Sequence, residues 1–254
     1  MQTKEIKNST NIQTETMPNK NDYDVFAPFY DAVMGDRSKV AQKITGFIQE
    51  FNPSAKSILE LASGTGTNLV PFADSYEVSG LDLSEGMLRV AGEKLPGVNF
   101  YNQSMIDFTI GKKFDVVMCL FDSINHILDI SQWKKMFENV KQHLADGGTF
   151  IFDVNTPEKL QRVVNEESGQ RDFDGNTMVM TVTDEGNGVT NWNIKVFERK
   201  NGKEILHEDN IKEVAFPTEE ISKVAREVFG TVEVRLDPVA KSGVVERVYF
   251  ICKK

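Results

Sequence analysis

The chain has 254 residues, a formal net charge of −9, and 40% apolar and 26% charged residues. That composition suits one large domain with a real core, or one domain carrying a smaller insertion. The acidic balance argues against a long nucleic acid as partner, because binding to a phosphate backbone rests on clustered Lys and Arg.

The N-terminal stretch 1–21 is polar, lacks the apolar core of a signal peptide, and reads as a flexible tail. From residue 22, Tyr23, Phe26, Ala27, Tyr30, Val33 and Met34 recur at spacings of three and four, which predicts one apolar helix face. A second amphipathic stretch, 40–51, stops before Pro53. Strands and helices then alternate. Strands are predicted at 57–62, 76–81, 98–101, 114–120 and 149–154. Helices are predicted at 68–74, at 84–93 with Ser84 as its cap, and at 130–144 with Ser131 near its start. Continuous apolar strands between helices predict a parallel sheet covered on both faces.

After Asn155 the rhythm changes. Segments 177–183, 189–198 and 204–214 alternate in character, and Gly175-Asn176, Gly186-Asn187-Gly188 and Asn201-Gly202 lie between them. Asn-Gly between alternating runs is a strong hairpin signal. These residues predict an antiparallel sheet inserted into the α/β domain. A helix opening at Pro217 and two final strands, 231–236 and 244–252, complete the chain.

The expected organisation is a tail at 1–21, an α/β domain at 22–171 and 215–254, and an inserted β subdomain at 172–214. Cys119 and Cys252 lie in apolar, strand-like runs and read as free thiols in a reducing compartment. His126, His143 and His207 have no ligand spacing, so a zinc site is not expected. No run approaches the ~18 apolar residues of a spanning helix, and a cytoplasmic location is expected by default.

Three features carry chemistry. The first is Glu60-Leu61-Ala62-Ser63-Gly64-Thr65-Gly66, a strand running into a loop of small residues. Small residues let the backbone approach a ligand, and a helix start offers unpaired N–H groups. The second is Asp82, at the end of the next strand. An acidic residue there can accept hydrogen bonds from both ribose hydroxyls of a nucleoside. The third is Leu120-Phe121-Asp122-Ser123-Ile124-Asn125-His126, at the carboxyl edge where open α/β sheets bind ligands. Phe121 is expected to wall a site there. Asp122, Asn125 and His126 either handle an acceptor or serve as helix caps and solvated loop residues.

Together these residues resemble the class I S-adenosylmethionine-dependent methyltransferases over most of the chain from about residue 22. Ile58-Leu59-Glu60-Leu61-Ala62-Ser63-Gly64-Thr65-Gly66 is similar to the family's acidic-plus-glycine loop. Leu81-Asp82-Leu83-Ser84-Glu85-Gly86-Met87 is similar to its ribose-binding turn. Ser104-Met105 takes the place where the family holds the adenine edge. Phe114-Asp115-Val116-Val117-Met118-Cys119-Leu120 is similar to its fourth strand, and Leu144-Ala145-Asp146-Gly147-Gly148-Thr149 to the turn before its fifth.

The resemblance implies a Rossmann-like doubly wound sheet, mostly parallel with an antiparallel C-terminal strand, and S-adenosyl-L-methionine as methyl donor. It implies donor contacts from Tyr30, Glu60, Ala62, Gly64, Asp82, Leu83, Met87, Ser104, Met105 and Leu120, with Arg37 a further candidate for the donor's carboxylate. It also implies a lid formed by the segment bearing Tyr23, Phe26 and Tyr30. His126 is the candidate general base, and the acceptor is expected to be a small molecule methylated on nitrogen or oxygen.

Two departures from the family stand out. Ala62 replaces a frequent glycine, so its φ is expected to be ordinary. Ser104 replaces a frequent acid. Trp192, Phe197 and His207 of the inserted sheet are expected either to line an acceptor pocket or to serve as packing. Methylation of tRNA or protein is one alternative. A dinucleotide-dependent oxidoreductase is another, although the third glycine of the usual fingerprint is missing.

Overall fold

A computed structural model describes residues 23–254 and the backbone of residues 12–13. The expected tail at 1–21 lies outside the described residues except for that pair, a short strand β1 (Ile12–Gln13). The main sheet holds β2 (Ser57–Leu61), β3 (Glu77–Asp82), β4 (Asn99–Asn102), β5 (Phe114–Cys119), β6 (Leu144–Asn155), β11 (Thr231–Leu236) and β12 (Arg247–Lys253). Its order is β11-β12-β6-β5-β2-β3-β4. Strands β2 to β6 pair in parallel, and β12 runs antiparallel to both β6 and β11. This is the doubly wound sheet with one antiparallel C-terminal strand that the family resemblance implies.

Helices cover both faces. Helix α2 (Ser38–Phe51) buries Ile44 and Ile48, one turn apart, against Ile58, Val116 and Ile151. On the other face, α4 (Ile130–His143) buries Trp133, Met136, Phe137 and Val140. With α6 (Thr218–Phe229) it packs on Phe150, Phe152 and Phe250. The spacings of three and four place these side chains on one stripe. Ser84 caps α3 (Glu85–Lys94) by accepting from Met87 N at 3.0 Å. Asp129 caps α4; its carboxylate accepts from Ser131 N at 2.8 Å.

Two expected helices are shorter than the periodicity suggests. Only α1 (Tyr30–Met34) forms in the N-terminal segment, and 23–29 is a run of turns. Pro28 explains this, because it lacks an N–H and disfavours helical backbone at the residue before it. Likewise 68–74 yields only a 3-10 turn, Val70–Phe72, with Pro71 inside it. The sequence reading also missed α5 (Pro157–Val164), whose start signal is Thr156 accepting from Lys159 N, with proline in the first turn.

The second sheet consists of β7 (Gly169–Phe173), β8 (Asn176–Gly186), β9 (Val189–Lys200) and β10 (Lys203–Val214), all antiparallel, with β1 added in parallel to β10. Its three hairpins turn at Asp174-Gly175, Asn187-Gly188 and Asn201-Gly202, with φ positive at both residues of each pair. That is the type I′ geometry, whose twist matches paired strands. One face of the sheet presents Met178, Ile194, Val196 and Ile211 to Phe26, Phe29 and Val33. The N-terminal segment is thereby fixed between the two sheets.

Candidate functional site

A cleft of about 900 Å³ opens at the carboxyl ends of β2, β3 and β5 and is bounded on its far side by β10. Ala62 and Gly64 of the glycine loop line it, as do Asp82, Leu83 and Met87. Ser104, Met105, Tyr30 and His126 complete the predicted residues that share it. Two others do not line it. Glu60 is fully buried behind the loop, and Leu120 belongs to the core on the α2 side.

The loop is anchored by backbone bonds. Ser63 N–H donates to Leu81 O at 2.9 Å, and Gly66 N–H to Ser63 O at 2.9 Å. Beneath it, a Cβ on Gly80 would meet Ser63 Oγ and Phe100 at 2.6 Å, so only glycine lets the loop lie this close to β3. The expectation for Ala62 is overturned. Its φ is +51°, in the left-handed region. The bonds at Ser63, the next residue, impose that conformation, and alanine bears it at a steric cost glycine avoids.

Asp82 ties two elements together. One carboxylate oxygen accepts from Gly64 N at 2.8 Å and the other from Ser84 N at 2.9 Å. The same carboxylate lines the cleft. Burial pushes the Asp82 carboxyl up, and the backbone N–H bonds oppose that shift.

Behind the loop lies a set of buried polar atoms with no hydrogen-bond partner among the described residues. These are Arg37 Nε and Nη2, Glu60 Oε2 and Ser63 Oγ. Arg37 Nη1 donates to Asn68 Oδ1 at 3.1 Å, and Asn68 Nδ2 donates to Glu60 Oε1 at 2.7 Å. Burial drives the Glu60 carboxyl up to about 8. Such groups are costly when unpaired, and their clustering marks a place built for a polar ligand. The Arg37 guanidinium also lies over the Tyr30 ring at 5.0 Å and the Phe121 ring at 4.2 Å.

His126 is half-buried, and its ring is held at both nitrogens. Nδ1 lies 3.0 Å from Lys212 O, and Nε2 lies 3.2 Å from Tyr23 Oη. A carbonyl can only accept, so Nδ1 carries the proton. In the neutral ring, Nε2 therefore offers a lone pair to the Tyr23 hydroxyl. Burial pushes the Tyr23 phenol well above its ordinary value, so it stays protonated. Its partnership with His126 joins residues 103 apart and had no sequence signal.

The remaining loop expectations divide. Phe121 and Ser123 line the cleft. Asp122 and Asn125 do not. Asp122 Oδ1 accepts from Arg247 Nη2 at 2.7 Å, and Asn125 Nδ2 donates to Val214 O at 2.6 Å. Burial raises Asp122, but the Arg247 and Lys159 charges outweigh it and hold the carboxyl below its usual range. In the second sheet, Asn210, Ile211 and Lys212 line the cleft, whereas Trp192, Phe197 and His207 do not. Trp192 Nε1 donates to Thr190, and His207 pairs with Glu198 at 2.9 Å, so both are packing residues. Among the described residues no cluster of His, Cys, Asp and Glu is placed to hold a metal, and no helix is long and apolar enough to cross a membrane.

The N-terminal segment is pinned over this site by two carboxylates. Asp24 accepts from Ser84 Oγ and from Gly86 N at 2.9 Å. Asp31 accepts from Thr65 Oγ1 at 2.6 Å, Thr67 Oγ1 at 2.7 Å and Lys94 Nζ.

A parallel sheet with an antiparallel final strand, a small-residue loop after its first strand and an acid after its second define a nucleoside-binding α/β domain of the methyltransferase type. Residues 58–148 match the family described as a methyltransferase domain. The solved structures that this fold resembles include S-adenosylmethionine-dependent methyltransferases. An S-adenosylmethionine-dependent methyltransferase from Clostridium acetobutylicum superposes with a TM-score of 0.78 at 27% identity, covering 91% of this chain and 98% of that one. Streptomyces venezuelae DesVI superposes with a TM-score of 0.73 at 25% identity, over 90% of this chain and 96% of its own. Among curated sequences, a dTDP-3-amino-3,4,6-trideoxy-alpha-D-glucopyranose N,N-dimethyltransferase of the same species is 31% identical over 131 residues, 51% of this chain. The match spans 55% of that relative, about half its length.

Proposed function

We propose that this chain transfers a methyl group from S-adenosylmethionine to a nitrogen or oxygen of a small-molecule acceptor, mainly by proximity and in-line orientation. The observation that carries the reading is the set of partnerless atoms Arg37 Nε and Nη2, Glu60 Oε2 and Ser63 Oγ, beside a loop tied to Asp82. The donor's methionine end bears a carboxylate and an ammonium group, which match a guanidinium and a carboxylate. Asp82 is assigned to the ribose hydroxyls. Leu83, Met87, Ser104 and Met105 are assigned to the adenine. Tyr30 is assigned to the carboxylate end beside Arg37.

When bound, the donor supplies an electrophilic methyl carbon. The chain's part is to hold a nucleophile in line with it, at ~3–3.5 Å, and to exclude water. The pinned N-terminal segment serves the second task. His126 Nε2 takes the proton an oxygen or protonated nitrogen must lose, in exchange for the hydrogen bond it accepts from Tyr23 in the free protein, and Lys212 O keeps the ring in the competent tautomer. The segment 172–214 is assigned to acceptor recognition, because Asn210, Ile211 and Lys212 reach the cleft. Residues 22–171 and 215–254 form the donor-binding domain in this reading. Three curated relatives are named for dTDP-linked amino sugars, which makes an amino sugar the first acceptor to test.

The decisive experiment is a calorimetric titration with S-adenosylhomocysteine, repeated on Asp82→Ala. Binding by the parent, lost by about thirtyfold or more in Asp82→Ala, is expected. A parent that does not bind defeats the donor assignment, and equal binding by both defeats the ribose assignment. Methyl transfer to amino sugars, other amines and hydroxylated metabolites is then screened.

A further inference from the structure

Phe121 and Asp122 stand in the left-handed region at φ +57° and +54°. Neither is glycine, and such backbone persists only where its surroundings over-determine it. The surroundings here converge on one carboxylate. Phe121 N–H donates to Asp153 Oδ1 at 2.8 Å, and Asp122 N–H donates to Asp153 Oδ2 at 3.1 Å. Asp153 lies on β6 and is fully buried. Arg247, at the start of β12, donates to the same carboxylate through Nη1 and to Asp122 through Nη2 at 2.7 Å. Its guanidinium lies 5.2 Å from the centre of the Phe121 ring.

Successive N–H groups that converge in this way form a concave anion site. In this turn the anion is the protein's own side chain. A plain tight turn has no need of a buried ion triad, because a hydrophobic filler avoids the desolvation that Asp122, Asp153 and Arg247 incur. The turn joins β5 to the helical turn Ser123–His126, so it sets where Phe121, Ser123 and His126 meet the cleft. Asp153 and Arg247 do not themselves line that cleft.

We propose that Asp153 and Arg247 are a positioning pair for methyl transfer: the buried carboxylate, held by the guanidinium, fixes the left-handed turn at Phe121–Asp122 and with it the acceptor-side wall of the site. This rests on the methyl-transfer reading, and its test carries one measurement that does not.

Amide hydrogen exchange of residues 120–126 is measured on the parent, Asp153→Asn and Arg247→Lys without substrate, beside S-adenosylhomocysteine binding and turnover. In Asp153→Asn the Phe121 and Asp122 amides are expected to exchange at least about tenfold faster, with strand Phe114–Cys119 unchanged. Turnover falls by ~10- to 100-fold while S-adenosylhomocysteine affinity stays within about threefold. Arg247→Lys, which keeps a cation, shows the same pattern more weakly and stands in if Asp153→Asn does not fold. Unchanged exchange at Phe121 and Asp122, or turnover within about twofold of the parent, overturns the proposal. A parent that binds S-adenosylhomocysteine but methylates no acceptor defeats the methyl-transfer reading instead, and the exchange result then decides the turn alone.

Discussion

Glu60→Gln is expected to make the donor-free protein more stable and a poorer donor binder. Burial lifts the Glu60 carboxyl from 4.5 to about 8. For an acid raised in this way, the native state keeps a proton that the unfolded chain loses above pH 4.5. Stability therefore falls as pH rises through the window from 4.5 to about 8 and levels off above it. The penalty is about 3 kcal/mol at pH 7 and under about 1 kcal/mol at pH 5. Glutamine keeps an oxygen to accept from Asn68 Nδ2 and removes the titration. Thermal melts without donor should show the Glu60→Gln variant ahead by roughly 6–12 °C at pH 7 and little ahead at pH 5. Donor binding should move the other way. The ammonium group favours ionised Glu60, so parent affinity for S-adenosylhomocysteine weakens by up to about tenfold per pH unit below 8, whereas the variant binds weakly with no such slope. A stability gap equal at pH 5 and pH 7 refutes the burial argument. Equal affinity and slope in both proteins refutes the ammonium assignment.

Ala62→Gly removes a left-handed alanine and should stabilise the protein by about 1 kcal/mol, read as a higher denaturant midpoint. His126→Ala should lower turnover by about a hundredfold without changing S-adenosylhomocysteine affinity, and Tyr23→Phe should lower it less. Turnover near the parent's across pH removes His126 as the base. Asp31→Ala should unpin α1 from the glycine loop and speed S-adenosylhomocysteine dissociation by roughly three- to tenfold in stopped flow, an effect reduced by partial solvent exposure of the latch.

What was legible in the sequence was local. The glycine loop, Asp82 at the next strand end and Ser84 as a cap are each written within a few residues, and the structure places them so. The hairpins were readable because Asn-Gly pairs carry their own φ preference. What was illegible was pairing at a distance. Asp24 meets Ser84 across 60 residues, Tyr23 meets His126 across 103, and Arg247 meets Asp122 across 125. No spacing rule reaches that far. Ala62 failed for a related reason: its conformation is imposed by the bonds of Ser63 to Leu81 and Gly66, which override what alanine prefers.

Seven non-glycine residues among those described have positive φ, and three of them are hairpin residues of a type that tolerates it. The other four are Tyr23, Ala62, Phe121 and Asp122, and all stand at the cleft or directly behind it. Each costs of order 1–3 kcal/mol, so together they rival the ~5–15 kcal/mol that holds a whole domain together. The partnerless atoms of Arg37, Glu60 and Ser63 add to that cost in the same place. A protein under pressure for stability alone would relax these positions singly, because glycine or a neutral side chain suffices at each. Their concentration at one edge of one sheet means the strain is held against function. The loop and the turn are kept stiff where the donor and the acceptor have to meet in line.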